Sequence, residues 1–308
     1  MTKPQHVLAV TDFSEGSDEA LRQANGYARM TGAKLSVLHV IPNVMHASPL
    51  LPNGSTGDVD REVAMEQRAL DDLWTRTQEV TGRPRNDVEL AVRIGPVDAA
   101  AVRYAEEHGV DVLVVGATGR TGLARLLLGS TAERVIRHAH CTVLVARPSP
   151  ASEHVLVATD LSDAALAAVE RAKAEVEWRE ARLDLLHVMD FSALGWPAAA
   201  GPFGGFAAQM PVERIAQMRQ IAVATLQGLG GPQATVHVIE GAPKRGIVAT
   251  AEEIPAGLIV LSTHGRTGLA RMALGSVAEA VSRVAHCSVL VVRAEHAAPK
   301  KTAAGNFE

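Results

Sequence analysis

The sequence predicts an α/β protein built from two tandem doubly wound domains. Residues 119–148 return, little altered, at 265–294: GRTGLARLLLGSTAERVIRHAHCTVLVARP against GRTGLARMALGSVAEAVSRVAHCSVLVVRA, with about two positions in three identical. The interval between the copies, about 146 residues, is the length of a whole small domain and far too long for a solenoid unit. Within each interval, short apolar runs alternate with longer helical patterns, as in parallel strands joined by crossover helices. A chain of 308 residues suits two such domains, each large enough to bury a core.

In the first copy, residues 6–10 form an apolar run ended by Thr11 and Asp12, and Ser14 caps a helix reaching about residue 30. Residues 35–41 read as a second strand closed by Pro42 and Asn43, then a polar, glycine-bearing loop covers 44–58. An amphipathic helix runs from about 60 to 80, with Ala64, Leu70, Leu73 and Trp74 among its apolar positions. A strand at 88–92 and a helix at 97–107 follow. Residues 110–115 are continuously apolar, as a strand buried on both faces should be. Gly129 or Ser130 opens a fourth helix, and 142–146 is the last strand. The second copy repeats this order, with strands at 154–158, 183–189, 235–239, 258–261 and 288–292. The expected domains are 1–148 and 153–293, joined by a linker at 149–152 and followed by a disordered tail at 294–308.

The copies differ most after the second strand. Residues 190–211 carry Phe191, Trp196, Phe203 and Phe206 in a Gly/Pro-rich setting. They read as an Ω-loop folded over its own domain, or as a lid or partner-binding arm.

Composition narrows the function. Hydrophobic residues make up 47%, charged residues 21% and aromatics 3%, so the cores are built from Ala, Val, Leu and Ile. A net charge of −4 argues against nucleic acid as the main partner, because phosphate neutralisation needs basic clusters. No apolar run is long enough to span a bilayer, and residues 1–10 lack a signal-peptide pattern, so the expectation is a cytoplasmic protein without a membrane partner. Cys141 and Cys287 fall at matching places in the copies and read as packing thiols.

The chemistry concentrates after the fourth strand. Gly116, Gly119 and the Gly129-Ser130 pair form a glycine-rich turn running into a helix start. Glycines there permit positive φ and let backbone amides approach an anion, while the helix start adds free N–H groups with Ser130 Oγ beside them. Doubly wound sheets bind ligands where strand order reverses. Asp12 shares that edge if the first and fourth strands are neighbours, and its carboxylate then accepts from an adenine amino group or a ribose hydroxyl. A lone Gly-x-x-Gly is ordinarily a turn, and Asp12 alone is ordinarily a turn former. Position after a buried strand, Gly-Ser at a helix start and repetition in the second copy favour phosphate. His39 and His187, at matching strand ends, read as structural histidines.

GATGRTGLARLLLGST resembles the Gly-2x-Gly-9x-Gly-(Ser/Thr) nucleotide motif of the universal stress protein family. The likeness extends to VLAVTDFSEGSDEAL, LSVLHVI and HCTVLVARP, and covers nearly the whole of both copies. The resemblance implies a five-stranded parallel sheet in each domain, in order 3-2-1-4-5 with helices on both faces. It also implies ATP or a related adenine nucleotide, with Mg2+ as an accompanying ion, and a role in stress tolerance as a sensing or buffering module. Carried across, Asp12 is the adenine-side aspartate and Val40 flanks the base. Val115, Gly116, Gly119, Gly129, Ser130 and Thr131 form the ribose–phosphate stretch. The second copy offers Asp160, Val188, Leu261, Gly265, Gly275, Ser276 and Val277. It departs at Ser262, which stands where the first glycine should be; serine adds a side chain and resists positive φ. His264 replaces Thr118.

Two other readings compete. A slow ATPase needs a positioned metal and an oriented water, and no P-loop lysine or placed general base is evident. A metal site would draw on His138, His140, Cys141, His286 and Cys287, although neighbouring residues at a helix–strand junction rarely aim at one ion. The strands at 142–146 and 288–292 are apolar sheet edges. They are expected to dock as an internal pseudo-dimer, with a Val145–Val291 cysteine pair spanning them and a homodimer of whole chains as a further possibility.

Overall fold

The computed structural model describes residues 3–42, 56–119, 128–149, 152–191, 212–263 and 275–293, with backbone alone over 56–62. In the first copy β1 (His6–Thr11), β2 (Lys34–Ile41), β3 (Val88–Ile94), β4 (Val112–Gly116) and β5 (Thr142–Ala146) alternate with α1 (Glu15–Thr31), α2 (Thr56–Thr81), α3 (Val97–Glu107) and α4 (Ser130–His138). The second copy supplies β6 (His154–Ala158), α5 (Asp163–Arg179), β7 (Arg182–Met189), α6 (Val212–Gly230), β8 (Thr235–Glu240), α7 (Pro243–Glu253), β9 (Leu258–Ser262), α8 (Ser276–Val284) and β10 (Ser288–Val292). The long helix α2 begins at Thr56 rather than near residue 60. Of its expected apolar positions, Leu73 is fully buried and Ala64 is exposed. The aromatic stretch at 192–211 and the tail at 294–308 lie outside the described residues. No helix among the described residues is long and apolar enough to cross a membrane.

Local sequence sets the helix ends. Ser14 Oγ accepts from Ser17 N–H at 3.3 Å, and Ser162 Oγ accepts from Ala165 N–H at 3.4 Å, capping α1 and α5. Helix α1 stops at Gly32 in the left-handed region, φ 77°. Helix α5 stops the same way at Glu180, φ 53°, without the freedom of glycine.

The ten strands of the described residues form one sheet in the order β3-β2-β1-β4-β5-β10-β9-β6-β7-β8. Each half has the expected order, and its strands are parallel. Strands β1 and β4 are neighbours, with Leu8 opposite Leu113. Helices α1 and α2 pack with Val7, Ala9 and Val114 on one face; α3 and α4 pack with Leu8, Leu113 and Val115 on the other. Strand order therefore reverses between β1 and β4, whose carboxyl ends mark the place where doubly wound sheets have their ligand crevice.

The halves meet through β5 and β10, antiparallel, with Leu144 opposite Leu290. The six side chains at 143–145 and 289–291 are at most 2% exposed, so both cores run unbroken through the seam. Burial on this scale stabilises by about 2 kcal/mol per side chain and removes two apolar edges. The register corrects the cross-link expected from sequence. Val145 faces Val289, and Val291 faces Val143. We therefore expect the double variant Val145→Cys, Val289→Cys to oxidise within one chain, seen as a non-reduced monomer with two free thiols, those of Cys141 and Cys287, rather than four. Exclusively intermolecular cross-links would contradict the pairing.

Charged residues lock this seam. Arg147, 4% exposed, donates to Ser282 O at 2.5 Å at the end of α8; Arg293 donates to Arg137 O at 2.8 Å at the end of α4. Each guanidinium thus meets the negative end of a helix in the other copy.

At the amino ends of β6, β7 and β8, Asp184 is 2% exposed and accepts from His154 Nδ1 and His237 Nε2, each at 2.8 Å. Burial pushes this carboxyl up, but the two histidine hydrogen bonds outweigh it and hold its pKa below 3.8. A depressed folded value means stability fully present above pH 3.8 and lost as pH falls through that lower value. Asp184→Asn should therefore flatten the acid limb of a urea-derived stability curve. An unchanged limb would show that the aspartate carries no linkage.

Candidate functional site

The crevice is built by two turns that touch. The first joins β1 to α1. Asp12 Oδ1 accepts from Ser14 N–H at 3.1 Å and from Ser14 Oγ at 2.5 Å, while Ser14 caps the helix. Between them Phe13 has φ 64°, a left-handed conformation that is costly for a bulky residue. Its N–H donates to Thr11 Oγ1 at 3.1 Å, and its ring packs on His39 with centroids 4.4 Å apart. His39 Nδ1 donates to Thr11 O at 2.9 Å, so this histidine supports the turn, as expected.

The second turn leaves β4. A methyl group on Gly116 would meet the Gly16 carbonyl, with Gly16 C at 2.7 Å, and one on Gly16 would meet the Thr118 carbonyl. The two glycines let the β4 end and the first turn of α1 approach backbone to backbone. Further along, a methyl group on Gly119 would lie 2.9 Å from Asp12 Oδ2. Gly129 N–H donates to Ala117 O at 2.7 Å and closes the loop, and Gly129 serves as the N-cap of α4 with no side-chain cap hydrogen bond. Gly116, Gly119 and Gly129 do not have positive φ. The sequence expectation of positive φ is corrected: these positions serve close approach.

Asp12 is half-buried, Gly119 and Ser130 are exposed, and Thr131 is half-buried. Asp12, Gly119 and Gly129 come together, Gly129 lying near Gly119 N. Val40 and Val115 are 3% and 4% exposed and belong to the core beneath. The amide of Gly129, expected to be free, is spent on the loop closure.

The second copy repeats the scaffold and alters the contact. Asp160 Oδ1 accepts from Ser162 N–H at 3.0 Å and Ser162 Oγ at 2.6 Å, and Leu161 has φ 63°. His187 Nδ1 donates to Thr159 O at 2.9 Å, and Gly275 N–H donates to Thr263 O at 2.7 Å. Leu261 is buried, Val188 and Val277 are half-buried and Ser276 is exposed. Gly265 and His264 lie outside the described residues. Ser262 stands where Gly116 does, and its hydroxyl donates to Ala164 O at 3.0 Å. The serine therefore ties the strand end to the helix across a gap that the first copy closes with paired glycines. The left-handed residue after each aspartate was missed from sequence, because neither Phe13 nor Leu161 advertises positive φ.

Of the residues weighed for a metal, His140 is paired with a carboxylate, whereas the buried His286 Nδ1 has no hydrogen-bond partner. His140 Nε2 lies 2.6 Å from Glu106 Oε1. Both cysteines are free thiols, and burial pushes Cys141 up to about 11 and Cys287 up to about 12. Among the described residues no three His, Cys, Asp or Glu gather around one point.

The sequence profile of the universal stress protein family matches residues 3–147 and again 152–293. A universal stress protein of Mycobacterium tuberculosis is 33% identical over 228 residues, covering 67% of this chain and 72% of that protein. A second from the same species is 28% identical over 316 residues, covering 95% of this chain and 99% of its own. Among solved structures, a universal stress protein from Archaeoglobus fulgidus superposes with a TM-score of 0.65 at 22% identity, covering 94% of this chain and 98% of that one. That last likeness concerns the fold alone.

Proposed function

The chain belongs to the universal stress protein family, and from that premise we propose that its first domain binds an adenine nucleotide, ATP in the first instance, as a sensing or buffering module. One observation carries the reading. Asp12 and Gly119 approach so closely across the β1–β4 crevice that a methyl group on the glycine would lie 2.9 Å from the carboxylate. An acceptor for adenine or ribose thus faces a glycine, Gly119, and α4 begins nearby at Gly129 without a side-chain cap. The phosphates would lie toward Ser130 and Thr131, with the base on the Asp12 and Val40 side. Mg2+ would be held chiefly by the phosphates, as is usual for an ion that keeps its waters.

The binding unit on this reading is the domain at 1–148, joined through 149–152 to the domain at 153–293. The free thiols agree with a cytoplasmic setting. Asp160, Val188, Leu261, Gly265, Gly275, Ser276 and Val277 form a second, weaker site, because Ser262 occupies the place of a glycine that brings strand and helix together. Calorimetric titration of the full chain with ATP tests this: one dominant site per chain is expected. Two equal sites would show the serine to be harmless, and no heat or displacement at all would remove the proposal.

A further inference from the structure

The seam between the copies is symmetric on one side of the sheet and directional on the other. On the α4–α8 side every contact has its mirror. Arg283 pairs with Glu133 at 3.0 Å and Arg137 with Glu279 at 3.2 Å, while Arg147 and Arg293 each close the other copy's helix end. Two like copies would make these contacts as readily as two unlike ones.

The α1–α5 side differs. Tyr27 and Glu175 occupy the same place in the repeat, counted from Asp12 and Asp160, and meet each other across the seam. The Tyr27 hydroxyl donates to Glu175 Oε1 and accepts from Arg171 Nη2. Arg171 Nε and Arg179 Nε hold the two Glu175 oxygens at 2.9 and 3.0 Å. The Arg171 guanidinium lies 5.3 Å from the Trp178 ring and 5.8 Å from the Tyr27 ring, and Arg179 lies 5.7 Å from Tyr27. The first copy has Gln23, Met30 and Thr31 where the second has Arg171, Trp178 and Arg179.

We propose that this cluster makes the seam a selective recognition surface, on which the C-terminal copy accepts an N-terminal copy and rejects another of its own kind. Glu175 is fully buried and Tyr27 is 2% exposed, so neither can turn to water when mispaired. Two C-terminal copies would set Glu175 against Glu175 without a hydroxyl between them, and would crowd four guanidiniums that have lost the tyrosine ring. Two N-terminal copies would set Tyr27 against Tyr27 with Gln23 alongside, forfeiting the ion pairs and the ring–cation contacts. Burial first, and the Glu175 charge second, keep the Tyr27 hydroxyl protonated far beyond its ordinary range, so it remains a donor. Differences between the copies at four mirrored positions (23/171, 27/175, 30/178 and 31/179) make an otherwise self-complementary edge directional.

The test uses the full chain with a protease site inserted between Ser149 and Ser152, cut after folding. Isotopically labelled and unlabelled cut proteins are mixed and read by native mass spectrometry. We expect the halves to stay associated and to exchange only between unlike copies, with unlike pairs exceeding C-terminal like pairs by more than ~10-fold. The double variant Glu175→Tyr, Arg171→Gln gives the second copy the first copy's residues at the two positions that carry the buried hydrogen bonds to Tyr27 and should bring the pairs close to statistical proportions. The milder Tyr27→Phe, which removes one hydroxyl, should move them part of the way. Statistical pairing in the wild type, dissociation of the cut halves, or variants indistinguishable from wild type would each overturn the proposal.

Discussion

Gly119→Val is expected to abolish ATP binding while leaving the fold in place. The new Cβ would lie 2.9 Å from Asp12 Oδ2, and its two methyl groups would extend over the mouth of the crevice. Because Gly119 is exposed and its φ is not positive, neither core packing nor backbone strain opposes the substitution. We expect affinity to fall by more than ~100-fold, equivalent to about 3 kcal/mol. The nucleotide-free melting temperature should stay within ~2 °C of wild type, as for a surface change away from the core. A large fall in that temperature would assign the glycine a purely structural part.

Glu175→Ala is expected to cost the most stability. It would leave Arg171, whose side chain is 8% exposed, without its carboxylate, and would strip the Tyr27 hydroxyl of its acceptor. Breaking one partner out of a buried ion pair costs ~3–5 kcal/mol, which for domains of this size lowers the melting temperature by roughly 10 °C. Thermal unfolding monitored by circular dichroism measures it. A loss below ~1 kcal/mol would mean that water reaches the arginines.

Much of this architecture is legible in the residues themselves. Apolar runs such as 35–41 and 288–292 have no other use in a chain this short of aromatics, and Ser14 and Ser162 mark helix starts by their own hydrogen bonds. The strand order and the edge-to-edge seam were expected through the repeat and the family likeness. The candidate site could be named from the sequence as a set of positions, while the packing constraint on its glycines could not. Gly116 and Gly119 were read as permitting positive φ and the approach of an anion, whereas the constraint seen is the space left by Gly16 and Asp12, a tertiary fact that no local pattern contains. Gly16 against Ala164 was the available signal: it changes between the copies together with Gly116 against Ser262. Tyr27 and Glu175 were invisible for a similar reason, since their contact joins two helices that lie far apart in sequence.

The central claim is that one crevice, between the β1–α1 and β4–α4 turns of the first copy, holds the nucleotide. Amide hydrogen exchange of the full chain with and without saturating ATP tests it most directly, because it reads both copies in one sample. The account predicts ATP-dependent protection at residues 12–17, 116–119 and 129–133, and much less at 160–165, 262–263 and 275–279. Protection confined to the second copy, or no change at the Asp12 and Gly119 peptides despite measurable binding, would contradict it.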